Sequence, residues 1–276
     1  VRVRACMGRF VITGGLGGLG LRAAALLRGH GAVYIMLTSR SGRVAREGQG
    51  LEMQLQSLSS SEVTTRVCGA DASEALDLDM VMGAMGGMGL SGFLHAASAF
   101  SSCLIAANEP LPALYQHLDG PKARGGELLS HITRRWCLDF ALYYSSLAAL
   151  ALSCIYRGSA AYSAANSYLD YLALRSRCHA LAASSLQMAN VGEQGSGALI
   201  GNEVTAFRGL VRITLEQYAQ SVSAALSCTA RPSATDCLLP AGPRGLVHEF
   251  EGHTAIIVDE QRRVVTKLEP IHLSAM

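Results

Sequence analysis

Four polar residues have the types and spacings needed to assist a proton transfer. Tyr162 and Asn166 are four residues apart, so they share one face if the segment is helical. Ser146 closes an apolar run typical of a buried strand, and Lys122 precedes it by 24 residues. A ketone that accepts a hydride needs a proton donor within hydrogen-bonding reach of its oxygen. A Tyr phenol can serve when a nearby cation lowers its pKa, and a Ser hydroxyl on the same oxygen would stabilise the developing negative charge. Taken singly, each residue is more typical of an interface, a helix surface or a loop.

A glycine-rich segment near the start of the chain has the pattern of a dinucleotide-binding turn. Gly15, Gly17 and Gly20 form G-x-G-x-x-G between the apolar run 10–12 and the Ala- and Leu-rich segment 21–27. In this strand–turn–helix context, Gly15 permits the tight turn, Gly17 the close approach of a pyrophosphate, and Gly20 the packing of helix on strand. The phosphates would lie on the free N–H groups of the helix N-terminus. The alternative is a glycine-rich surface loop.

The segment after the second predicted strand, residues 32–38, bears on cofactor choice. An acidic residue about twenty positions past the glycines binds the ribose 2′-hydroxyl of NAD, whereas an Arg accommodates the 2′-phosphate of NADP. Arg40 lies twenty residues past Gly20, and no acidic residue precedes Glu47. The sequence therefore predicts NADPH, with an ordinary surface Arg as the alternative.

Hydrophobic patterning predicts the elements that position these residues. Apolar runs alternate with helical segments, which is typical of an α/β fold with a doubly wound parallel sheet of the Rossmann type. Further strands are predicted at 63–69, 91–97, 137–146 and 181–189, and further helices near 51–58 and at 77–90, 122–136, 160–178 and 214–225. Residues 1–230 are assigned to one catalytic domain. Residues 231–276 form a C-terminal extension or linker, in which 253–267 reads as a hairpin.

Composition excludes several other classes of protein. The chain has 276 residues, 50% of them apolar and 16% charged, with a net charge of +2. No nucleic-acid partner is indicated by so small a charge. Two uncharged stretches are considered as membrane spans. Residues 80–108 are interrupted by Gly and Ser, and residues 140–156 are barely long enough to cross a bilayer, so no membrane span is predicted. The scattered cysteines, without a C-x-x-C pair, are typical of an intracellular protein. His248, Glu249 and His253 are spaced one residue too far apart for the zinc helix motif, so no metal site is predicted.

Six short motifs occur in an order that identifies a family. They are T-G-G-L-G-G-L-G at 13–20, S-R-S at 39–41, H-A-A at 95–97, P-K-A-R-G at 121–125, Y-S-S at 144–146 and Y-S-A-A-N-S-Y-L-D at 162–170. Together they resemble the ketoreductase domain of a modular type I polyketide synthase, a branch of the short-chain dehydrogenase/reductases shared with animal-type fatty acid synthase. The resemblance covers about residues 9–225. Ordinary family members carry Tyr-x-x-x-Lys, whereas this branch carries Tyr-x-x-x-Asn and takes its Lys from an earlier helix.

The resemblance implies a catalytic and a cofactor-binding set. Tyr162 would donate the proton, Ser146 hold the substrate oxygen, Lys122 lower the pKa of the Tyr, and Asn166 order Lys122 and a water. NADPH would be held by Thr13, Gly15, Leu16, Gly17, Leu19, Ser39, Arg40, Asp71, Ala72, Ala96 and Ala97, with Asp71 placed to touch the adenine ring. The implied substrate is a β-ketoacyl thioester on an acyl carrier protein, reduced beside neighbouring synthase domains in the cytoplasm.

The sequence departs from the family pattern at several positions. Ser98 replaces the glycine that usually follows H-A-A, and Met188-Ala189 replaces the usual Trp-Gly. The loop between Ser146 and Tyr162 is about three residues longer than usual, and both markers of product stereochemistry are absent. Two alternatives therefore stay open. One is a catalytically silent domain retained as a scaffold, and the other is a free-standing dehydrogenase, against which the lack of Lys at position 166 counts.

Overall fold

The computed structural model describes residues 8–45, 49–59, 63–85, 89–99, 120–149, 160–179, 181–192, 213–227, 238–241, 254–258 and 264–268. The strands are β1 (Arg9–Thr13), β2 (Tyr34–Ser39), β3 (Thr64–Gly69), β4 (Gly92–His95), β5 (Phe140–Ser146), β6 (Ala183–Met188), β7 (Leu238–Ala241), β8 (Thr254–Val258) and β9 (Val264–Leu268). The helices are α1 (Gly18–Gly29), α2 (Leu51–Ser59), α3 (Ala75–Ala84), α4 (Gly125–Ile132), α5 (Ala160–Cys178) and α6 (Leu215–Ser227). A π-helical turn, Gly120–Arg124, leads into α4.

Seven parallel strands form the main sheet, in the order β3-β2-β1-β4-β5-β6-β7. The chain moves outward from β1 to β3 and then returns to the other side of β1, where β4 begins the second half. The predicted doubly wound fold is confirmed. In such sheets ligands bind beyond the carboxyl ends of the strands, at the point where the strand order reverses. Here that point lies between β1 and β4.

Helices cover both faces of the sheet. One core joins alternate residues of the strands, including Phe10 and Tyr144, to α1, α2 and α6. The other joins the intervening residues, including Val11 and Tyr143, to α3, α4 and α5. This alternation follows from the two-residue period of a strand, and burial on both faces explains the apolar runs that predicted the strands.

Helix α5 is held firmly under the ends of β5 and β6. Leu169 and Leu172 are fully buried in the second core, and burial of each such side chain contributes about 1.5–3 kcal/mol. Ala161 and Ala165 are also buried on this helix, and their small side chains let the first two turns approach the sheet. The N-terminal half of α5, which carries Tyr162 and Asn166, is therefore fixed beside the carboxyl end of β5.

Beyond residue 230 the described residues form three short strands. Strand β7 pairs in parallel with β6, so the main sheet continues into the range assigned to an extension. The predicted hairpin is confirmed, since β8 and β9 pair antiparallel in a two-stranded sheet of their own. Within the described ranges, no helix is long and apolar enough to cross a membrane. The same ranges contain no cluster of three or more potential metal ligands, and His248, Glu249 and His253 lie outside them.

Candidate active site

The turn after β1 owes its shape to two adjacent glycines. Gly14 has a φ of +67°, a left-handed conformation that L side chains rarely adopt, and a Cβ there would lie 2.6 Å from the Ala96 carbonyl oxygen. Gly15 has no positive φ, but its Cβ would lie 2.6 Å from the Ile12 carbonyl oxygen. The left-handed residue of the tight turn is thus Gly14, and Gly15 is needed for close packing. The lack of a Cβ at Gly15, which was predicted to permit the tight turn, is therefore needed together with the left-handed Gly14.

The N-terminus of α1 has no side-chain cap among the described residues. The helix begins at Gly18, three residues earlier than predicted, with Gly17 as an N-cap that has no side-chain hydrogen bond and no acidic residue in the first turn. A Cβ on Gly17 would meet only the Gly14 carbonyl oxygen, at 3.3 Å, whereas one on Gly20 would lie 2.5 Å from that oxygen. Gly20 therefore packs the helix on the turn, and Gly17 leaves space beside the unpaired N–H groups.

Two of the predicted cofactor residues are buried in the protein interior. Thr13 and Leu16 are completely inaccessible to solvent, and the Leu16 carbonyl oxygen accepts a hydrogen bond from the Ala45 N–H at 3.0 Å. Both side chains are covered by the protein itself, and the cofactor contact of Thr13 and Leu16 stays a prediction. Leu19 is only partly buried, and its carbonyl oxygen accepts the Tyr218 hydroxyl at 2.7 Å.

The remaining predicted cofactor residues lie at the carboxyl ends of β2, β3 and β4. Arg40 is exposed immediately after β2, and the Ser39 hydroxyl donates to the Arg43 carbonyl oxygen. Asp71 Oδ1 accepts hydrogen bonds from the Ser73 N–H and hydroxyl, at 2.9 and 2.7 Å. These bonds give Asp71 a structural role in the turn before α3, and its contact with adenine stays a prediction. Ala72 is buried, whereas Ala96 and Ala97 are partly buried beside the Gly14 turn.

His95, at the end of β4, connects the glycine turn to Lys122. Its Nε2 lies 2.8 Å from the Lys122 carbonyl oxygen, and its Nδ1 lies 2.7 Å from the Thr13 hydroxyl. A carbonyl can only accept, so Nε2 carries the proton and the Thr13 hydroxyl donates to Nδ1. Burial lowers the pKa of His95 to about 4, so the ring is neutral at physiological pH. This contact fixes the backbone of Lys122, and the H-A-A motif was the only sign of it in the sequence.

Replacing His95 with Phe should lower the free energy of unfolding by about 2–4 kcal/mol, because the Thr13 hydroxyl and the Lys122 carbonyl would each lose a buried partner. Urea denaturation followed by circular dichroism measures this change. The matched control is His131→Phe, since His131 is exposed on α4. An equal loss of stability in both variants would contradict a specific role for the His95 hydrogen bonds.

Lys122 is a buried cation beside the predicted catalytic Tyr. Only 3% of the residue is exposed, and its Nζ donates to the Tyr144 carbonyl oxygen at 2.5 Å. Nζ lies 5.7 Å from the centre of the Tyr162 ring. Burial lowers the pKa of Lys122 to about 7, and the charge of Asp170 acts in the opposite direction. Lys122 is therefore not a solvated lysine at the start of a helix.

Asn166 and the two serines of β5 complete the arrangement. Asn166 is fully buried; its Nδ2 donates to the Tyr162 carbonyl oxygen at 2.6 Å, and its Oδ1 is buried without a hydrogen-bond partner. No hydrogen bond joins it to Lys122 in the described part of the chain, so the predicted direct ordering of Lys122 is not observed. The Ser145 hydroxyl is buried and contacts both the Asn166 carbonyl oxygen and the Asp170 carboxylate, whereas Ser146 is partly exposed. Ser146 is thus the serine that can meet a substrate.

Sequence reasoning missed one charged residue of the site. Asp170 lies on α5, and its two carboxylate oxygens accept hydrogen bonds from Ser185 and Gln187 of β6, at 2.5 and 2.8 Å. The available signal was its position in Y-S-A-A-N-S-Y-L-D, eight residues past Tyr162 and hence near the same helix face. Its partners on β6 could not be inferred, because they depend on how α5 crosses the sheet.

The parallel sheet, the glycine turn and the Ser–Tyr–Asn–Lys arrangement define an oxidoreductase of the short-chain dehydrogenase/reductase type, a class that acts on keto and hydroxyl groups. Residues 8–193 match the family model described as the KR domain. The chain therefore belongs to the KR domain family, and it is homologous to the ketoreductases of polyketide synthases.

Individual relatives agree with this assignment. The chain is 34% identical over 189 residues to the mycocerosic acid synthase-like polyketide synthase of Mycobacterium tuberculosis, a match that covers 68% of this chain and 9% of the relative. It is 29% identical to the pikromycin polyketide synthase component PikAIII of Streptomyces venezuelae, covering 80% of this chain and 14% of that protein. Among solved structures, an A-type ketoreductase from a modular polyketide synthase matches with a TM-score of 0.72 and 26% identity, covering 87% of this chain and 48% of the other. The chain thus spans 9% and 14% of the two synthases and 48% of the solved ketoreductase.

Proposed function

We propose that this domain reduces a β-ketoacyl thioester, carried by an acyl carrier protein, to the β-hydroxyacyl form with NADPH. The observation that carries the proposal is the buried Lys122 ammonium 5.7 Å from the Tyr162 ring. Burying a cation costs free energy, and the Lys122 ammonium lies beside Tyr162, the residue that would lose a proton. The relatives that are synthases support a setting among neighbouring synthase domains, and the cytoplasm is the proposed location.

The residues of the site divide the proton chemistry among them. Tyr162 would donate its phenolic proton to the ketone oxygen as the general acid. Ser146, partly exposed at the end of β5, would donate a hydrogen bond to the same oxygen and stabilise the developing alkoxide. Lys122 would stabilise the phenolate that remains, because opposite charges attract strongly where water is excluded. The nicotinamide cofactor, when bound, supplies the hydride.

The residues around the glycine turn fit a dinucleotide phosphate. The α1 N-terminus has no side-chain cap and no acidic residue in its first turn, and Gly17 leaves room for a pyrophosphate beside it. Arg40 is exposed immediately after β2, where a cofactor with a 2′-phosphate would present its negative charge. These features support NADPH as the cofactor.

Replacing Arg40 with Ala should weaken NADPH binding by about one to two orders of magnitude, because a charge-assisted contact to the 2′-phosphate contributes about 1.5–3 kcal/mol. NADH affinity should change little, since NADH has no such phosphate. Fluorescence titration of each cofactor measures both. Arg43→Ala is the control, because Arg43 is exposed in the same loop. Equal losses for NADPH and NADH in Arg40→Ala would show that Arg40 acts through packing.

The proposed activity is tested by mixing the protein with NADPH and a β-ketoacyl-N-acetylcysteamine thioester, a small analogue of a carrier-bound chain. Loss of nicotinamide absorbance together with formation of the β-hydroxyacyl thioester would support the proposal. If NADPH binds but neither change occurs, with the analogue and with a carrier-bound substrate, the catalytically silent alternative is favoured. Activity restricted to small free alcohols and ketones would favour the free-standing dehydrogenase instead.

A further inference from the structure

Asp170 lies on the same stretch of α5 as the two site residues Tyr162 and Asn166. The three residues are spaced four apart, so they follow one face of the helix with a gradual rotation. Asp170 is positioned by β6 and not by its own helix. Ser185 donates to Oδ1 at 2.5 Å, and the Gln187 amide donates to Oδ2 at 2.8 Å.

The hydrogen bonds of Asp170 favour its ionised form. The Gln187 Nε2 can only donate a hydrogen bond, so Asp170 Oδ2 must accept it. The Ser185 hydroxyl donates to the other carboxylate oxygen, Oδ1. Donors on both oxygens stabilise a carboxylate over a carboxylic acid. Burial raises the pKa of Asp170, whereas the hydrogen bonds from Ser185, Gln187 and Ser145 and the charge of Lys122 act against that increase.

Asp170 also lies close to Lys122, because Lys122 Nζ donates to the Tyr144 carbonyl oxygen, and Gln187, which donates to Asp170, pairs with Ser145, the next residue of β5. Burial lowers the pKa of Lys122 to about 7, and the attraction of Asp170 opposes this decrease. The elements packed around Lys122 also carry the ionisable groups Asp71, His95, Arg124, Glu127, Tyr144 and Tyr162. Among the described residues, Asp170 is the carboxylate whose charge bears on the pKa of Lys122, and His95 is neutral because burial lowers its own pKa to about 4.

We propose that Asp170 is a positioning residue of the reductase site, whose carboxylate, held by Ser185 and Gln187, keeps the Lys122 amine protonated beside Tyr162. The proposal rests on the proposed function, because the charge of Lys122 matters only if Tyr162 transfers a proton. Its physical basis is that the buried amine would otherwise lose its proton near neutral pH. Asp170 acts through Lys122 and has no direct part in the chemistry.

The test is the pH dependence of turnover in Asp170→Asn, which retains the shape of the side chain without its charge. Losing an opposite charge should lower the pKa of Lys122, so the basic limb of the pH–rate profile should move to lower pH by about one unit. At a pH just above the native basic limb, turnover of Asp170→Asn should be about tenfold lower than that of the native protein. At a pH well below both limbs, the two turnover numbers should be similar. Glu127→Gln is the matched control, because Glu127 is also a hydrogen-bonded carboxylate, with Tyr168 and Arg175 as its donors. Its basic limb should not move.

A second readout does not depend on activity. The chain contains two lysines, Lys122 and Lys267, so protein labelled with ¹³C at lysine Cε gives two signals, and Lys122→Met assigns them. The Lys122 signal should titrate about one pH unit lower in Asp170→Asn than in the native protein, while Lys267 stays constant as a reference. An unmoved Lys122 titration would overturn the proposal.

The two readouts separate this inference from the proposed function. If Lys122 shifts but the native protein reduces no β-ketoacyl thioester, the reductase proposal fails and the electrostatic coupling stands. If native turnover is observed and the basic limb of Asp170→Asn stays in place, the reductase stands and the role of Asp170 is wrong. If Asp170→Asn does not fold, the Asp170 carboxyl ¹³C signal of the native protein decides. It should show a second inflection at the pH where Lys122 titrates, and a single inflection would overturn the proposal.

Discussion

Replacing Tyr162 with Phe should lower the turnover number by about 10²–10⁴-fold, because the reaction would lose its general acid. The ring would keep its place, since Phe differs from Tyr only in the hydroxyl. Cofactor affinity should therefore change little, and the loss should appear in kcat. Steady-state kinetics with a β-ketoacyl thioester and a separate NADPH titration measure the two effects.

The control for this substitution is Tyr171→Phe. Tyr171 lies on α5 as well, with 51% of its surface exposed, and it faces away from the proposed site. Its turnover should equal that of the native protein. If Tyr162→Phe also retained native turnover, Tyr162 would have no place in the mechanism and another proton donor would have to be sought.

Replacing Lys122 with Met should reduce turnover by about 10- to 1,000-fold, because a nearby ammonium shifts a phenol pKa by one to three units and each unit corresponds to about 1.4 kcal/mol. The direction of the pH effect follows from the charges. Reduction requires a protonated phenol, so activity falls as pH rises through the basic limb. In Lys122→Met no ammonium stabilises the phenolate, so the pKa of Tyr162 should rise. The variant also has no lysine that loses its proton near pH 7, so the basic limb should move to higher pH.

The pH–rate profile of the native domain, compared with that of Lys122→Met, measures this effect. Arg124→Met is a suitable control, because Arg124 is an exposed cation in the same π-helical turn. Its limb should coincide with that of the native protein. An active Lys122→Met variant with an unmoved limb would exclude Lys122 from proton transfer. The opposite shifts expected for Lys122→Met and Asp170→Asn also distinguish loss of the cation from loss of its counter-charge.

The departures from the family pattern have unequal structural consequences. Met188 is the last residue of β6 and is buried in the core next to α6, so this position contributes to packing. Ser98 is exposed after β4. The lengthened segment between β5 and α5 lies largely outside the described residues, as do the positions of both stereochemical markers.

The sequence by itself determined the fold class, because most strands of the main sheet up to β6 are apolar runs between helical segments; β3, at the edge of the sheet, is more polar and largely exposed. It also indicated Lys122, Tyr162 and Asn166, since the motif order and the four-residue spacing are local properties of the chain. Strand β7 was not predicted, because it has only four residues and includes Pro240, which is unfavourable within a strand; its strand conformation depends on pairing with β6.

Only the tertiary structure decided which side chains are available for chemistry. Thr13 and Leu16 belong to the glycine motif, yet the packing of β1 and α1 buries them completely. The burial of Lys122, which brings its pKa close to neutrality, results from the way α5 and β5 close over the π-helical turn. The partners of Asp170 lie on β6, and those of His95 lie in β1 and in the π-helical turn. Hydrogen bonding and desolvation depend on distances between such segments, and a linear pattern does not contain those distances.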